Sequence, residues 1–298
     1  MTTKKGTSGL KLALRTSVVS GMTLISRILG LVRDIVFARY FGASMVMDAF
    51  LVAQRIPNML RRFFAEGAFS AGFIPVMARY REKHDHADAR EFVDAVSGTF
   101  GLVLFVVTLI GVIASPLLVL IVAPGFVGDG GDFDLAALML RFTFPYLLFV
   151  SLTAFAGGIL NTYGRFGVPA FTPVILNIVL IAAAVWVSPN LEQPVMALAY
   201  AILVAGICQL LFQLPFLARI HAFPRPIWAP KHEGVRRAFR LMVPAIFGSS
   251  VAQINVLLGG VIASLLPVGS ISYLYFSDRL MAVSYTHLRA HETSRAIS

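Results

Sequence analysis

Eight long apolar runs, separated by short polar connections, restrict what this chain can fold into. They cover roughly 14–38, 46–78, 93–122, 136–160, 168–187, 194–218, 237–265 and 270–282. A helix crosses a bilayer core with about 20 mostly apolar residues, and most of the runs reach that length. Backbone in lipid must satisfy its own hydrogen bonds, which leaves helices or closed barrels. Barrel strands would read as short alternating segments instead of continuous runs. The predicted class is therefore an all-α polytopic membrane protein with about eight transmembrane helices. Prolines within the runs (Pro57, Pro145, Pro173, Pro215, Pro244) fit this class, because helix bundles in lipid tolerate them at kinks. Composition excludes the water-soluble alternative. Only 13% of residues are charged and 57% are hydrophobic, against roughly a quarter charged in an ordinary globular domain. The mean hydropathy is +0.79.

The net charge of +10 raises the question of nucleic acid, and its distribution answers against it. There is no long basic run, no zinc-finger spacing and no basic aromatic sheet pattern, so nucleic acid is not an expected partner. Lys and Arg gather in alternate connections instead: Lys4, Lys5, Lys11 and Arg15; then Arg79, Arg81, Lys83 and Arg90; then Arg165; then Arg219 to Arg240. The intervening connections 123–135, 188–193 and 266–269 have neither residue type. By the positive-inside rule the N-terminus is expected in the cytoplasm, with residues 1–13 a retained tail. The Pro- and Arg-rich stretch 219–236 reads as a cytoplasmic linker between a six-helix unit (14–218) and the start of another (237–282). A weak echo supports a repeat, with Gln54-Arg55-Ile56 answered by Asp278-Arg279-Leu280. Residues 283–298 are polar and lack helical periodicity, and they resemble translated adapter sequence. The expectation is that they are not native and that the natural chain continues. The lone Cys208 lies in an apolar run and reads as a packed residue.

The segment from Ser26 to Gly67 carries the chemistry. It holds Arg27, Arg33, Arg39, Arg55, Arg61 and Arg62 with Asp34, Asp48 and Glu66, and no lysine. A charge at membrane depth costs about 2.5–3.5 kcal/mol even on the mild insertion scale, so these groups face a partner, a watery cavity or a helix end. Arginine grips phosphate oxygens with a two-pronged fork that lysine lacks. A cavity lined this way suits a phosphate or diphosphate. The competing reading is structural: Arg39, Arg61 and Arg62 snorkel to headgroups, and Asp34 pairs with Arg33 or Arg27. Enzyme readings are disfavoured. The histidines (His84, His86, His221, His232, His287, His291) fall in connections or the tail, and no acidic pair has metal-ligand spacing inside the helices. No catalytic residue, metal or cofactor is expected. Asn177 and Gln209 read as amides that bond a neighbouring helix.

Ser26-Arg-Ile-Leu-Gly-Leu-Val-Arg-Asp34, Asp48-Ala-Phe50 and Pro57-Asn-Met-Leu-Arg-Arg-Phe-Phe-Ala-Glu-Gly-Ala-Phe-Ser70 strongly resemble the MurJ (MviN) family. Ala123-Pro-Gly-Phe126, Phe144-Pro-Tyr146, Asn161-Thr-Tyr-Gly-Arg-Phe166 and Asp278-Arg-Leu-Met281 extend the resemblance over about 14–281. The resemblance implies a fourteen-helix, two-lobe flippase of the multidrug/oligosaccharidyl-lipid/polysaccharide exporter superfamily, with the second lobe cut short here. Its implied substrate is lipid II, the undecaprenyl-diphosphate-linked cell-wall precursor, carried across the bacterial inner membrane by alternating access. It implies cavity arginines at Arg27, Arg33, Arg61 and Arg279, and further substrate-binding positions at Asp48, Asn58, Glu66 and Ser272. Membrane lipids and the cell-wall synthesis machinery are the implied partners, with a coupling ion or the membrane potential as driving force. Two alternatives stand beside this: an exporter of another polyprenyl-linked glycan, and a non-transporting scaffold for cell-wall enzymes.

Overall fold

A computed structural model describes residues 3–63, 69–83, 86–128, 132–279 and 281. Every regular element among them is helical. The helices are α1 (Thr3–Tyr40), α2 (Met45–Arg61), α3 (Phe69–Lys83), α4 (His86–Ile113), α5 (Ser115–Val122), α6 (Phe133–Thr143), α7 (Tyr146–Thr162), α8 (Gly167–Ala182), α9 (Met196–Arg219) and α10 (Glu233–Ser264), followed by α11 over 270–279. Four spans among the described residues are long and apolar enough to cross a membrane: Ala87–Ile113, Phe133–Thr162, Gly167–Asn190 and Met196–Arg219. A fifth forms if Glu233–Gly248 and Gln253–Ser264, bent by 47°, count as one. The runs expected at 14–38 and 46–78 are helical but more charged. α1 carries Arg27, Arg33, Asp34 and Arg39, and α2 has 17 residues with Asp48, Arg55 and Arg61 among them. The second of these runs is described as α2 and α3, on either side of 64–68, which lie outside the described residues. So does the tail from 282 to 298.

Two runs read as continuous are divided, each at a proline. Pro116 has no N–H to give to the preceding turn, so the run 93–122 stops at Ala114 and restarts as α5 with Pro116 in its first turn. Pro145 separates α6 from α7 in the same way. Pro57, Pro173, Pro215 and Pro244 stay inside their helices. At Pro173 the repair is visible: the Thr172 hydroxyl donates to the Pro169 carbonyl at 2.8 Å, filling the bond that proline cannot make.

The burial pattern is inverted relative to a water-soluble bundle. Ile113, Trp186 and Phe247 are each more than 70% exposed, while Arg33, Asp34, Asp48, Gln209 and Gln213 are buried. An apolar exterior, with charged and amide side chains held inside among apolar ones, is what a bilayer selects. Two apolar cores hold the bundle. One joins Phe37, Met47, Phe50, Leu140 and Leu147 from α1, α2, α6 and α7. The other joins Phe69, Phe73, Phe92, Phe155 and Leu217 from α3, α4, α7 and α9, with Val235 and Met242 of α10. Helices α7 and α9 contribute to both, and they pack closely on each other.

The segment read as a linker packs against α4. The Arg225 N–H donates to Asp94 Oδ1 at 2.7 Å and the Ile227 N–H to the Asp94 carbonyl at 3.1 Å. Gly98 of α4 lies so close beneath that a Cβ there would overlap the Ile227 backbone. Residues 222–229 therefore form an extended strap across α4.

Candidate functional site

A cavity of about 700 Å³ opens inside the bundle, walled by α1, α2, α3, α7, α8, α9, α10 and α11. Helix α2 presents Leu51, Gln54, Arg55, Asn58, Met59 and Arg61 to it, with Arg62 at its C-cap; Leu51, Gln54, Arg55, Asn58 and Arg62 follow the i, i+3, i+4 spacing of one face. Its opposite face, with Met47, Phe50 and Ile56, is buried in the first core, and the Thr143 hydroxyl of α6 fixes it by donating to the Ala53 carbonyl at 3.1 Å. Five arginines line the cavity (Arg33, Arg55, Arg61, Arg62 and Arg279), against one carboxylate, Asp278, among the described residues.

Arg33 is the most tightly held of these. It is 7% exposed. It donates to Asp34 Oδ1 from Nε at 3.0 Å and from Nη2 at 2.7 Å. Its Nη1 donates to Asn177 Oδ1 at 3.1 Å on α8 and its Nη2 to the Tyr275 hydroxyl at 3.1 Å on α11. The Tyr275 hydroxyl in turn donates to Asp34 Oδ1 at 2.9 Å. Asp34 also receives Arg279 of α11, Nε to Oδ2 at 3.4 Å, and the Arg279 guanidinium lies 5.5 Å from the Tyr275 ring centre. Asn177 returns to α1 by donating to the Ser26 carbonyl at 3.1 Å. One carboxylate thus joins two arginines from helices far apart in sequence, which explains how α1, α8 and α11 converge.

The residues expected at the site separate into groups. Arg33, Asn58, Arg61 and Arg279 line the cavity. Arg27 is exposed on α1 and does not. Six residues at about 100° each put it about 120° around the helix from Arg33, so the two arginines point different ways. Asp48 and Ser272 meet each other away from the cavity lining. Asp48 Oδ1 accepts the Ser272 N–H at 2.8 Å and its hydroxyl at 2.5 Å, while Oδ2 accepts the Gly269 N–H at 2.7 Å. Asp48 is 4% exposed and Ser272 is fully buried. Asp48 therefore caps the N-terminus of α11 from α2, satisfying backbone N–H groups that have no partner within their own helix. Gly269 makes this possible with φ at +91°, a left-handed conformation that costs glycine nothing. Glu66 lies outside the described residues.

Several lining residues were not among the expected site residues. Arg55 of α2 presses on α10 at Gly260, where a Cβ would overlap its guanidinium, and its buried Nη1 has no hydrogen-bond partner among the described residues. Arg62 Nη1 donates to Gln253 Oε1 at 3.4 Å. Gln209 and Gln213 face the cavity from α9. The signal for Arg55 was present in the sequence, since it sits three residues before Asn58 and seven before Arg62 on the same helical face.

The fold and site define a polytopic helical membrane protein built around a cationic internal cavity. Comparison with known proteins sharpens that class. Residues 37–286 match the family described as lipid II flippase MurJ. A probable lipid II flippase MurJ of Haemophilus influenzae is 49% identical over 267 residues, covering 87% of this chain and 52% of that protein. The lipid II flippase MurJ of Burkholderia cenocepacia is 47% identical over 267 residues, covering 88% and 52%. A solved structure of lipid II flippase MurJ in an inward closed conformation superposes with a TM-score of 0.74 at 28% identity, over 90% of this chain and 55% of that one. The chain belongs to the MurJ family, and it spans about half the length of the curated relatives it matches.

Proposed function

We propose that the whole protein moves lipid II from the inner to the outer leaflet of the bacterial cytoplasmic membrane, with the arginine cavity holding its diphosphate. The observation that carries this reading is the charge imbalance of the cavity, five arginines against one carboxylate among the described lining residues. Arginine forks are matched to phosphate oxygens, and cations at membrane depth are too costly to keep without a task. A diphosphate entering the cavity competes with Asp34 for Arg33 and Arg279, so its arrival loosens the tie between α1 and α11. The lipid tail stays in the bilayer while the headgroup crosses.

The same reading assigns the rest of the molecule. The protein has fourteen helices in two lobes, of which 14–218 form the first, 219–236 the linker and 237–282 the start of the second, giving eight spans here. The N-terminus is cytoplasmic, and rocking of one lobe against the other alternates the opening. An ion gradient or the membrane potential supplies the work, and the cell-wall synthesis machinery receives the product. The test is binding of undecaprenyl diphosphate to the purified full-length protein. Arg279→Ala is the informative variant, because the Arg279 side chain is 50% exposed and its removal leaves the fold standing. Tight binding by wild type and at least about ten-fold weaker binding by the variant supports the reading. Equal binding by both removes the cavity from it.

A further inference from the structure

One wall of the cavity is not accounted for by phosphate. All five lining arginines come from α1, α2 with its C-cap Arg62, and α11, whereas the lining residues of α7, α8 and α9 are uncharged. On that neutral wall, Gln209 and Gln213 stand one turn apart on the same face of α9. They are only 3% and 1% exposed. The Gln209 amide N–H donates to the Thr172 carbonyl at 2.8 Å, which ties it to α8. Its carbonyl Oε1 accepts nothing among the described residues, and neither does Oε1 of Gln213. Buried polar oxygens are nearly always paired, so two acceptors on one cavity wall that are bare among the described residues are suited to donors brought by a ligand. Phosphate oxygens cannot serve, because they are acceptors themselves and an amide carbonyl repels them. Hydroxyl and amide N–H groups can.

We propose that Gln209 and Gln213 form a second subsite, which accepts hydrogen bonds from the hydroxyl- and amide-bearing part of the headgroup. The opposite arginine wall takes the phosphates, so the cavity sorts its cargo by donor and acceptor character. This rests on the lipid-linked diphosphate reading above. A trapped water would satisfy the two oxygens equally well without any headgroup, and binding measurements separate the two cases.

The experiment uses the full-length protein in detergent and two ligands, undecaprenyl diphosphate alone and the same lipid carrying an N-acetylated disaccharide. Gln213→Met keeps the length of the side chain and removes the bare acceptor. It is expected to weaken binding of the glycan-bearing lipid about ten-fold and to leave the bare diphosphate lipid unchanged. Gln209→Met provides a second variant with the same expected selectivity, and thermal unfolding checks that both are folded. Equal losses for the two ligands, or no loss for either, overturns the subsite. So does a wild-type protein that gains no affinity from the disaccharide. Wild type that binds neither lipid overturns the diphosphate reading itself, and the subsite falls with it.

Discussion

Asp48→Ala should release α11 from α2. The carboxylate accepts three hydrogen bonds from the first turn of α11 and the residue before it, at 2.5, 2.7 and 2.8 Å, in a buried setting. Hydrogen bonds to a charged partner contribute roughly 1.5–3 kcal/mol each and do not add fully, so alanine should cost about 3–5 kcal/mol. Even the lower figure shifts the equilibrium between joined and parted helices by about a hundred-fold. Asp48→Asn should cost less, because its carbonyl can still accept from Ser272 while its NH2 now confronts the Gly269 N–H. Spin labels on Val46→Cys and Tyr273→Cys, in a Cys208→Ala background, report the separation directly. Both positions are exposed, at 37% and 65%, so the labels do not disturb the contact. Wild type should give one short distance, and Asp48→Ala should add a longer population together with a lower unfolding midpoint. If neither the distance nor the midpoint moves, Asp48 does not hold the two helices together.

Further outcomes follow from other contacts. Arg55→Met removes a half-buried guanidinium whose Nη1 has no hydrogen-bond partner among the described residues; it should raise stability by about 1–3 kcal/mol while weakening diphosphate binding, read by unfolding and by titration. Gly98→Ala forces a Cβ into the Ile227 backbone and should cost about 1–3 kcal/mol; trypsin should then cut faster at Arg219 and Lys231 than in wild type. Arg33→Lys keeps the charge but loses the fork that reaches Asp34, Asn177 and Tyr275 together; transport should fall although the protein still reaches the membrane, as shown by comparing activity with membrane-fraction levels.

The helices were legible because their signal is local. Apolar runs of sufficient length define α4 and α7 to α9, whereas the divisions at Pro116 and Pro145, where a missing N–H breaks the ladder, were read as continuous helix. The charged segment around Arg33 and Arg61 was legible as a site because charge inside an apolar run is itself abnormal. What escaped the sequence is pairing across distance. Nothing in the local spacing joins Arg33 to Asn177, 144 residues away, or to Tyr275, 242 residues away. Asp48 carries the same lesson: its charge drew attention, but its role as a cap depends on a turn at Gly269 that comes 221 residues later. Arg27 was separable in principle, since helical rotation alone turns it away from Arg33.

The central claim concerns lipid II and the arginine cavity, and one measurement addresses both. The natural gene is depleted in the cells that carry it, and lipid II is quantified in each leaflet while plasmids supply either the wild-type or the Arg279→Ala protein. Depletion should leave lipid II on the cytoplasmic side, wild type should restore its outward flow, and Arg279→Ala, at equal membrane level, should not. Outward flow that persists through depletion, or that Arg279→Ala restores in full, would contradict the account.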